Sequence, residues 1–322
     1  MSIRFGILGA ARIAPEALVR PARRNGQVSV EAVASRTRSH AEAFAREHRI
    51  PTVHDDMDAL LADPDLDAVY IALPNGLHAE WAERALRAGK HVLVEKPVAS
   101  NAEEAAKLEQ VAEESGRVCM VGYHYRYHPL MAALREMLPR IGHLQEVETQ
   151  FHVGLDDRDD IRYDYELAGG ALMDLGCYEI HLLRYLTDLE PEVVSATARP
   201  AEDERIDERM DAELQLLSIR ATISSSLREE ESVQRAVFKG SDGEIVVEGF
   251  VLPQLGNRIH VVAPDLRHDH SVSTSVTSYD GQLQQFVSAV EHDRPFPTTV
   301  ADSVATMRVI DDVYRAAGLP LR

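Results

Sequence analysis

Residues 3–24 read IRFGILGAARIAPEALVRPARR, and this stretch decides the fold class. A short apolar strand runs into the turn GILGAARIA, and Pro15 then opens a helical segment, since proline is favoured in the first turn of a helix. Against the pattern G-x-G-x-x-G/A the turn supplies Gly9, Ala11 and Ala14, so alanine replaces the middle glycine. The order strand, tight turn, helix is typical of a dinucleotide-binding unit, with an ordinary βα turn as the alternative.

The alternation of strand and helix continues to about residue 122. Helical segments separate further apolar runs, which lie at 28–35, 67–73, 91–95 and 117–122. Repeated βα units predict a parallel sheet with helices on both faces, as in a doubly wound Rossmann fold. We therefore predict an α/β protein whose first domain, residues 1–123, binds a dinucleotide.

The pattern changes in the second part of the chain. One long strand and one helix are followed by several alternating strands between residues 191 and 276, and two helices close the chain. This order predicts an α+β domain, residues 124–322, with an open and mostly antiparallel sheet. The last helix is a candidate for packing back on the first domain.

Composition excludes several classes of protein. The 322 residues carry 34 basic and 53 acidic side chains, a formal net charge of −19, which argues against a nucleic-acid partner. No apolar run is long enough to span a membrane, and the N-terminus lacks a signal-peptide pattern, so we predict a cytoplasmic protein. Two cysteines without a CxxC pair, and no zinc-type spacing, predict no metal centre. We assign His268 and His270 to a solvated loop, with contact to a metal as the alternative.

The cofactor site is predicted at the carboxyl ends of the strands, where ligands bind in open α/β sheets. The backbone amides from Ala11 through Arg12 to Ile13 can face a pyrophosphate. The second strand ends in Ser35 and Arg36 rather than in an acid, and Glu31 lies in mid-strand. A hydroxyl and a guanidinium suit a 2′-phosphate, so we predict NADP, with NAD as the alternative. A solvent-facing basic loop is the non-functional interpretation.

Two further strand ends carry polar residues. The segment ALPNGLH ends one strand with Leu73, Pro74 and Asn75 and begins a helix near His78, and we predict that these four residues contact the cofactor; a helix-start residue without a ligand is the alternative for His78. The segment GKHVLVEKPVAS ends the next strand with a charged pair before a proline. Proline restricts its own φ and the residue before it, so the lysine ammonium is held in a limited range of directions. The residues of the second segment are Glu95, Lys96 and Pro97.

Four stretches together resemble the Gfo/Idh/MocA oxidoreductase family: GILGAARIA, YIALPNGLHAE, AGKHVLVEKPVA and GGALMDLGCYEIHLLRYL. The resemblance spans the whole chain. It implies a Rossmann domain, a C-terminal α/β domain with an open antiparallel sheet, a cofactor held between them, and a homodimer or homotetramer formed through that sheet. It also implies a catalytic and cofactor-proximal role for Lys96, which Glu95 would orient or neutralise.

The helix from Gly169 carries the second half of the predicted site. Asp174, Tyr178 and His181 fall at i, i+4 and i+7 and share one face. Many sugar-oxidising family members have Asp-x-Gly-x-His here, whereas DLGCY places tyrosine at the last position. This departure resembles the glucose–fructose oxidoreductase, dimeric dihydrodiol dehydrogenase and xylose dehydrogenase branches. A nearby ammonium lowers the pKa of a phenol, so Lys96 and Tyr178 suit a proton-transfer pair.

In this interpretation Tyr178 exchanges a proton with a substrate hydroxyl while hydride passes to or from the nicotinamide, and Asp174 holds a substrate hydroxyl or orients the site. A capped, half-buried helix face is the non-functional interpretation of Asp174 and Tyr178. Arg126 and His128, in YHYRYHP, and His181 are candidates for contact with a polyol or sugar; interdomain packing is the alternative for the first two. Loop 155–167 is expected to decide the substrate. An NAD-dependent glycosidase and a nucleotide-sensing regulator are the competing functions on this fold.

Overall fold

The computed structural model describes residues 2–264 and 266–322. The chain divides into two units, Met1–Tyr123 with Tyr279–Val304, and His124–Ser278 with Ala305–Arg322. The segment Tyr279–Val304 thus groups with the Rossmann unit, whereas the sequence placed it within 124–322. Among the described residues, none of the helices combines the length and the apolar character needed to cross a bilayer.

Fourteen strands occur in the described residues, and eleven of them stand where the apolar runs predict them; those at 52–53, 258–263 and 266–270 match no predicted run. They are β1 Ile3–Leu8, β2 Val28–Ala34, β3 Thr52–Val53, β4 Ala68–Ile71, β5 His91–Val94, β6 Cys119–Val121, β7 Leu144–Gly154, β8 Glu192–Pro200, β9 Asp207–Leu216, β10 Ile219–Ser226, β11 Arg228–Gly240, β12 Glu244–Glu248, β13 Arg258–Ala263 and β14 Leu266–His270.

The helices are α1 Arg20–Arg24, α2 Arg38–His48, α3 Met57–Leu61, α4 His78–Arg87, α5 Ala102–Ser115, α6 Pro129–Met137, α7 Cys177–Thr187, α8 Ser278–His292 and α9 Val300–Ala316. Two π-helical turns, Pro15–Val19 and Leu172–Gly176, run directly into α1 and α7. Capping explains the bounds of α5: the Asn101 side chain accepts from the Glu104 amide at 3.0 Å, and Gly116 ends the helix with a φ of 61°.

The first unit contains a six-stranded parallel sheet in the order β3-β2-β1-β4-β5-β6. All four residues of β4 are buried, as expected for a strand covered on both faces. The chain reverses its direction of winding between β1 and β4, and such a switch point opens a crevice at the carboxyl ends of the strands. The predicted Rossmann fold is confirmed.

The second unit contains an eight-stranded sheet in the order β14-β13-β12-β11-β7-β10-β9-β8. The sheet is mostly antiparallel, as predicted, but β7 and β10 pair in parallel. The assignment of His268 and His270 to a solvated loop is wrong, because both lie in the edge strand β14, where backbone pairing with β13 fixes them. A polar edge strand has no alternation of apolar residues by which it could be distinguished from a loop.

Candidate functional site

Gly9 forms the turn at the carboxyl end of β1. Its φ is +99°, and a Cβ atom at this position would overlap the carbonyl oxygen of Ala72. The Gly9 amide donates to Ala34 at 2.8 Å, which ties the turn to the end of β2. The chain then continues through Ala11, Arg12 and Ile13 into the π-helical turn, so these residues lie at the edge of the sheet where they were predicted.

Ser35 and Arg36 follow β2 directly. The Ser35 hydroxyl donates to the Thr37 carbonyl at 2.8 Å. Arg36 is exposed and forms no ion pair within the described part of the chain, whereas its neighbour Arg38 pairs with Glu42 at 2.9 Å and also with Asp55. Arg36 is therefore the arginine whose charge is available to an anion at this strand end.

Two more loops leave the same edge of the sheet. Leu73–Pro74–Asn75 follows β4, the neighbour of β1, and the Lys96–Pro97 segment, whose peptide bond is cis, follows β5. His78 joins them: its Nδ1 lies 2.7 Å from the Pro97 carbonyl and its Nε2 2.8 Å from that of Leu73. Burial lowers the pKa of His78 to about 4, although two carbonyl acceptors favour protonation, so the neutral ring donates to one carbonyl. His78 is 1% exposed and connects these two loops through its ring nitrogens.

Glu95 precedes Lys96 in the chain and is hydrogen-bonded to the neighbouring strand, β4. Its Oε1 accepts from the Tyr70 hydroxyl at 2.7 Å, and both side chains are buried. Burial, and then the Glu95 charge, raise the pKa of Tyr70 well above its usual value, so the phenol stays protonated and keeps donating. The sequence did not predict this contact, because the two residues belong to different strands and their pairing depends on sheet register.

In the second unit, the π-helical turn carries Asp174 against the loop at 155–167. The Asp174 carboxylate accepts from Arg162 Nε at 2.6 Å, and Asp160 holds the other side of the guanidinium at 3.1 Å. Asp174 is the main reason that the pKa of Arg162 lies above its usual value. The loop expected to decide the substrate is thus connected to a predicted site residue through Arg162, which the sequence did not single out.

Tyr178 lies one turn further on, within a cluster of rings. Its ring centroid is 5.7 Å from that of Tyr125, 5.8 Å from that of Phe151 and 6.1 Å from that of His124. The Tyr178 hydroxyl lies 3.5 Å from Nε2 of His124, and Nδ1 of His181 lies 2.5 Å from the hydroxyl of Tyr125. Asp174, Tyr178 and His181 are all buried. Asp174 contacts Arg162, whereas Tyr178 contacts His124. His181 contacts Tyr125.

Arg126 and His128 have structural partners. The Arg126 guanidinium lies over the Tyr185 ring, 3.3 Å from its centroid. His128 is the N-cap of α6, and its Nδ1 accepts from the Leu130 amide at 3.1 Å. Burial lowers the pKa of His128, which keeps this acceptor nitrogen unprotonated. These contacts account for Arg126 and for Nδ1 of His128, whereas Nε2 of His128 is buried and has no hydrogen-bond partner among the described residues.

Two buried groups fix the helix that carries Asp174 and Tyr178. Glu179 accepts from Thr149 at 2.9 Å and from the Ser224 amide at 3.0 Å, which joins α7 to β7 and β10. Asp207 accepts from the Leu172 amide at 2.7 Å and pairs with Arg322 at 2.7 Å, which holds the start of the π-helical turn. Hydrogen bonds therefore hold this helix to the sheet at Leu172, before Asp174, and at Glu179, directly after Tyr178.

Comparison with known proteins identifies the family. The model for the oxidoreductase family with an NAD-binding Rossmann fold, GFO_IDH_MocA, matches residues 3–123, and the model for the GFO/IDH/MocA C-terminal domain matches residues 131–246. The chain belongs to the Gfo/Idh/MocA family, as its motifs predicted.

Relatives match over almost the full length. The chain is 36% identical to D-xylose 1-dehydrogenase (NADP(+)) 2 of Haloferax volcanii, over 97% of each chain. It is 30% identical to inositol 2-dehydrogenase of Rhizobium meliloti, over 98% of this chain and 97% of the relative. The crystal structure of KijD10, a 3-ketoreductase from Actinomadura kijaniata in complex with NADP and TDP-benzene, superposes with a TM-score of 0.91 at 28% identity over 98% of each chain.

Proposed function

We propose that this protein is an NADP-dependent oxidoreductase that transfers a hydride between the nicotinamide and a hydroxyl- or carbonyl-bearing carbon of a sugar, a polyol or a related diol. The observation that carries the proposal is the arrangement of one sheet edge, where Gly9 ends β1, Arg36 follows β2 and Lys96 follows β5. The family and the activities of the relatives named above support it.

The residues of this edge fit a dinucleotide carrying a 2′-phosphate. The turn from Gly9 to Ile13 would hold the pyrophosphate through backbone amides, because no Cβ intrudes at Gly9. Arg36 would pair with the 2′-phosphate, as a guanidinium without an ion-pair partner among the described residues. The segments Leu73–Asn75 and Glu95–Pro97 would line the site. When bound, the nicotinamide supplies the hydride donor or acceptor.

The proton in this reaction is assigned to Tyr178, with Lys96 as its electrostatic partner. A phenol is a poor base at neutral pH, and an ammonium nearby favours its ionised form. Asp174 would accept a hydrogen bond from a substrate hydroxyl, since its contact with Arg162 fixes the orientation of the carboxylate. The proposal requires that Lys96 and Tyr178 act on the same substrate hydroxyl.

A panel of aldoses, polyols, ketoses and dihydrodiols, assayed by the absorbance of the reduced cofactor, tests the activity. Lys96→Met and Tyr178→Phe are each expected to lower turnover by roughly 10²-fold or more, the range for a positioned proton-transfer group. Lys107→Met is the matched control, because Lys107 is exposed and pairs only with a helix neighbour, Glu103, at 2.7 Å among its described contacts. Near-normal turnover in Lys96→Met or Tyr178→Phe would refute the assigned role.

Cofactor preference has its own test. NADP(H) is expected to bind more tightly than NAD(H), and Arg36→Asp is expected to reverse or shrink that preference, because it places a carboxylate against the 2′-phosphate. Arg46→Asp makes the same charge change at an exposed position on α2 and should leave the preference unaltered. Dissociation constants from fluorescence titration give the readout. An unchanged preference in Arg36→Asp would remove the 2′-phosphate assignment.

We also propose a homodimer or homotetramer formed through the eight-stranded sheet. Side chains alternate along β7, so the face opposite Val147 and Thr149 carries Glu146, which pairs with Lys239 at 3.1 Å and with Arg220 at 3.2 Å. Light scattering at micromolar concentration checks the proposal, and a monomer would contradict it.

A further inference from the structure

We propose that His124 is a positioning residue that orients Tyr178 and carries the proton which Tyr178 exchanges with the substrate. The inference rests on the function proposed above and extends its proton route by one residue. It starts from the contact between two buried side chains, since His124 is 2% and Tyr178 5% exposed.

The two rings meet edge to face. Their planes are inclined by 72° with centroids 6.1 Å apart, and the Tyr178 hydroxyl lies 3.5 Å from His124 Nε2. This is long for a hydrogen bond, and catalytic pairs are often long until substrate closes the site. Two other rings that pack on Tyr178, those of Phe151 and Tyr125, carry no nitrogen that could accept its proton.

The partners of His124 determine which of its nitrogens carries the proton. The Ser278 hydroxyl donates to the side-chain oxygen of Gln254 at 3.0 Å. Its single proton is thereby used, so at 2.8 Å from His124 Nδ1 the Ser278 oxygen accepts. The neutral imidazole consequently carries its proton on Nδ1, and the lone pair of Nε2 faces the Tyr178 hydroxyl. Each group therefore donates to the next in the order Tyr178, His124, Ser278, Gln254.

These hydrogen bonds provide a route for the proton from the substrate hydroxyl through Tyr178 to His124. In the oxidative direction the substrate O–H bond breaks and its proton goes to the Tyr178 oxygen, while the phenolic proton passes to His124 Nε2. The carbon that bears this hydroxyl loses its C–H bond as a hydride to the nicotinamide dinucleotide, so the substrate loses two electrons and the cofactor gains them. His124 becomes an imidazolium that the Ser278 oxygen stabilises at Nδ1, and reduction runs the same steps backward. Histidine suits this role because its unperturbed pKa is near neutrality.

A measurement without cofactor or substrate tests the contact itself. In protein labelled with 15N-histidine, the His124 resonances are identified by their loss in His124→Gln, and they should show the Nδ1–H tautomer. Tyr178→Phe should shift the Nε2 resonance of His124 and leave those of His152 in place. The His152 ring is bonded to Ser224 at 3.0 Å and serves as a matched buried histidine–serine pair. An Nε2–H tautomer, or a resonance that ignores Tyr178→Phe, would overturn the inference.

Kinetics tests the proton route. Wild-type turnover in the oxidative direction should fall toward acid pH as His124 becomes protonated. We call this fall the acid limb of the pH profile. His124→Gln keeps polar groups for both neighbours but cannot take up a proton, so it should lower kcat by roughly 10²-fold and abolish this acid limb while KM changes little. His152→Gln should keep the wild-type profile. An unchanged acid limb in His124→Gln, in protein with wild-type circular dichroism and Tm, would contradict the route.

Ser278→Ala provides a second, milder variant. It leaves the imidazole in place and removes the group that fixes its tautomer, so the acid limb should persist but move, with a smaller loss of kcat. If the wild-type protein turns over no member of the substrate panel with either cofactor, the proposed function fails, while the 15N measurement still tests the contact of His124 with Tyr178. If Tyr178→Phe retains activity, the proton role assigned to Tyr178 fails, and this inference fails with it. If Tyr178→Phe is inactive while His124→Gln and Ser278→Ala behave as wild type, only this inference fails.

Discussion

Gly9 occupies a backbone conformation that L side chains rarely adopt, and it does so against the Ala72 carbonyl. Gly9→Ala therefore combines left-handed strain with a clash against backbone that cannot move away, and we expect it to cost about 3 kcal/mol of unfolding free energy. Equilibrium denaturation in urea measures the change. Binding of NADP should weaken in parallel, because the turn must shift.

Two other glycines separate these contributions. Gly116 has a φ of +61° with open space around its position, so Gly116→Ala should show the strain alone, about 1 kcal/mol. Gly26 has open space and no left-handed φ, so Gly26→Ala should be close to neutral. A Gly9→Ala effect no larger than that of Gly116→Ala would show that the Ala72 contact is relieved at no cost.

At the residue scale the sequence predicted groups at strand ends and missed their partners. Gly9, Arg36 and Lys96 follow from βα order, because the end of a parallel strand marks the functional edge. The contact of Tyr178 with His124 joins residues 54 positions apart, and that of Tyr70 with Glu95 joins residues 25 apart. Such pairs depend on tertiary packing, which no local spacing encodes.

At the scale of elements, α7 is held to the sheet by a carboxyl group without a cationic partner among its described contacts. Glu179 is buried and accepts hydrogen bonds from Thr149, Ser224 and Ser225. Burial raises the pKa of Glu179 from 4.5 to about 7. Since the folded state retains the proton that the unfolded state releases, stability should fall as pH rises from 4.5 to 7.

Glu179→Gln should remove this pH dependence. The amide reproduces the protonated carboxyl, so the variant should be more stable than wild type at pH 8 and gain about 2 kcal/mol relative to wild type between pH 5.5 and 8. Urea denaturation at the two pH values measures it. Glu213→Gln, on an exposed position of β9, is the control and should show no such gain. An equal difference between Glu179→Gln and wild type at both pH values would contradict the assignment.

Element type was largely predictable, whereas element pairing was not. Alternation of apolar residues predicted β9, whose buried residues Met210, Ala212, Leu214 and Leu216 recur every second position. The same periodicity does not reveal that β10 pairs in parallel with β7, because both strand directions present the same faces. The π-helical turn before α7 was also missed, since one extra residue per turn has no compositional signal.

At the scale of the whole molecule, the first unit is assembled from two stretches of chain. Phe286 of the segment Tyr279–Val304 packs on Phe5 of β1, with ring centroids 5.2 Å apart. The Val121 amide at the end of β6 donates to the Thr298 carbonyl at 2.9 Å. Amphipathic helices near the end of the chain were predicted, but their periodicity does not say which sheet they cover.

A Rossmann unit cut after Tyr123 should therefore be incomplete. In a fragment of residues 1–123, Phe5 loses its partner and the edge of β6 loses its backbone bond, so the fragment is expected to bind the dye ANS and to unfold without cooperativity. Joining residues 279–304 to it through a glycine–serine linker should restore a cooperative transition. Phe286→Ala in the joined fragment should then cost about 3–5 kcal/mol. Cooperative unfolding of residues 1–123 alone, at the stability of the joined fragment, would show that the second stretch is dispensable.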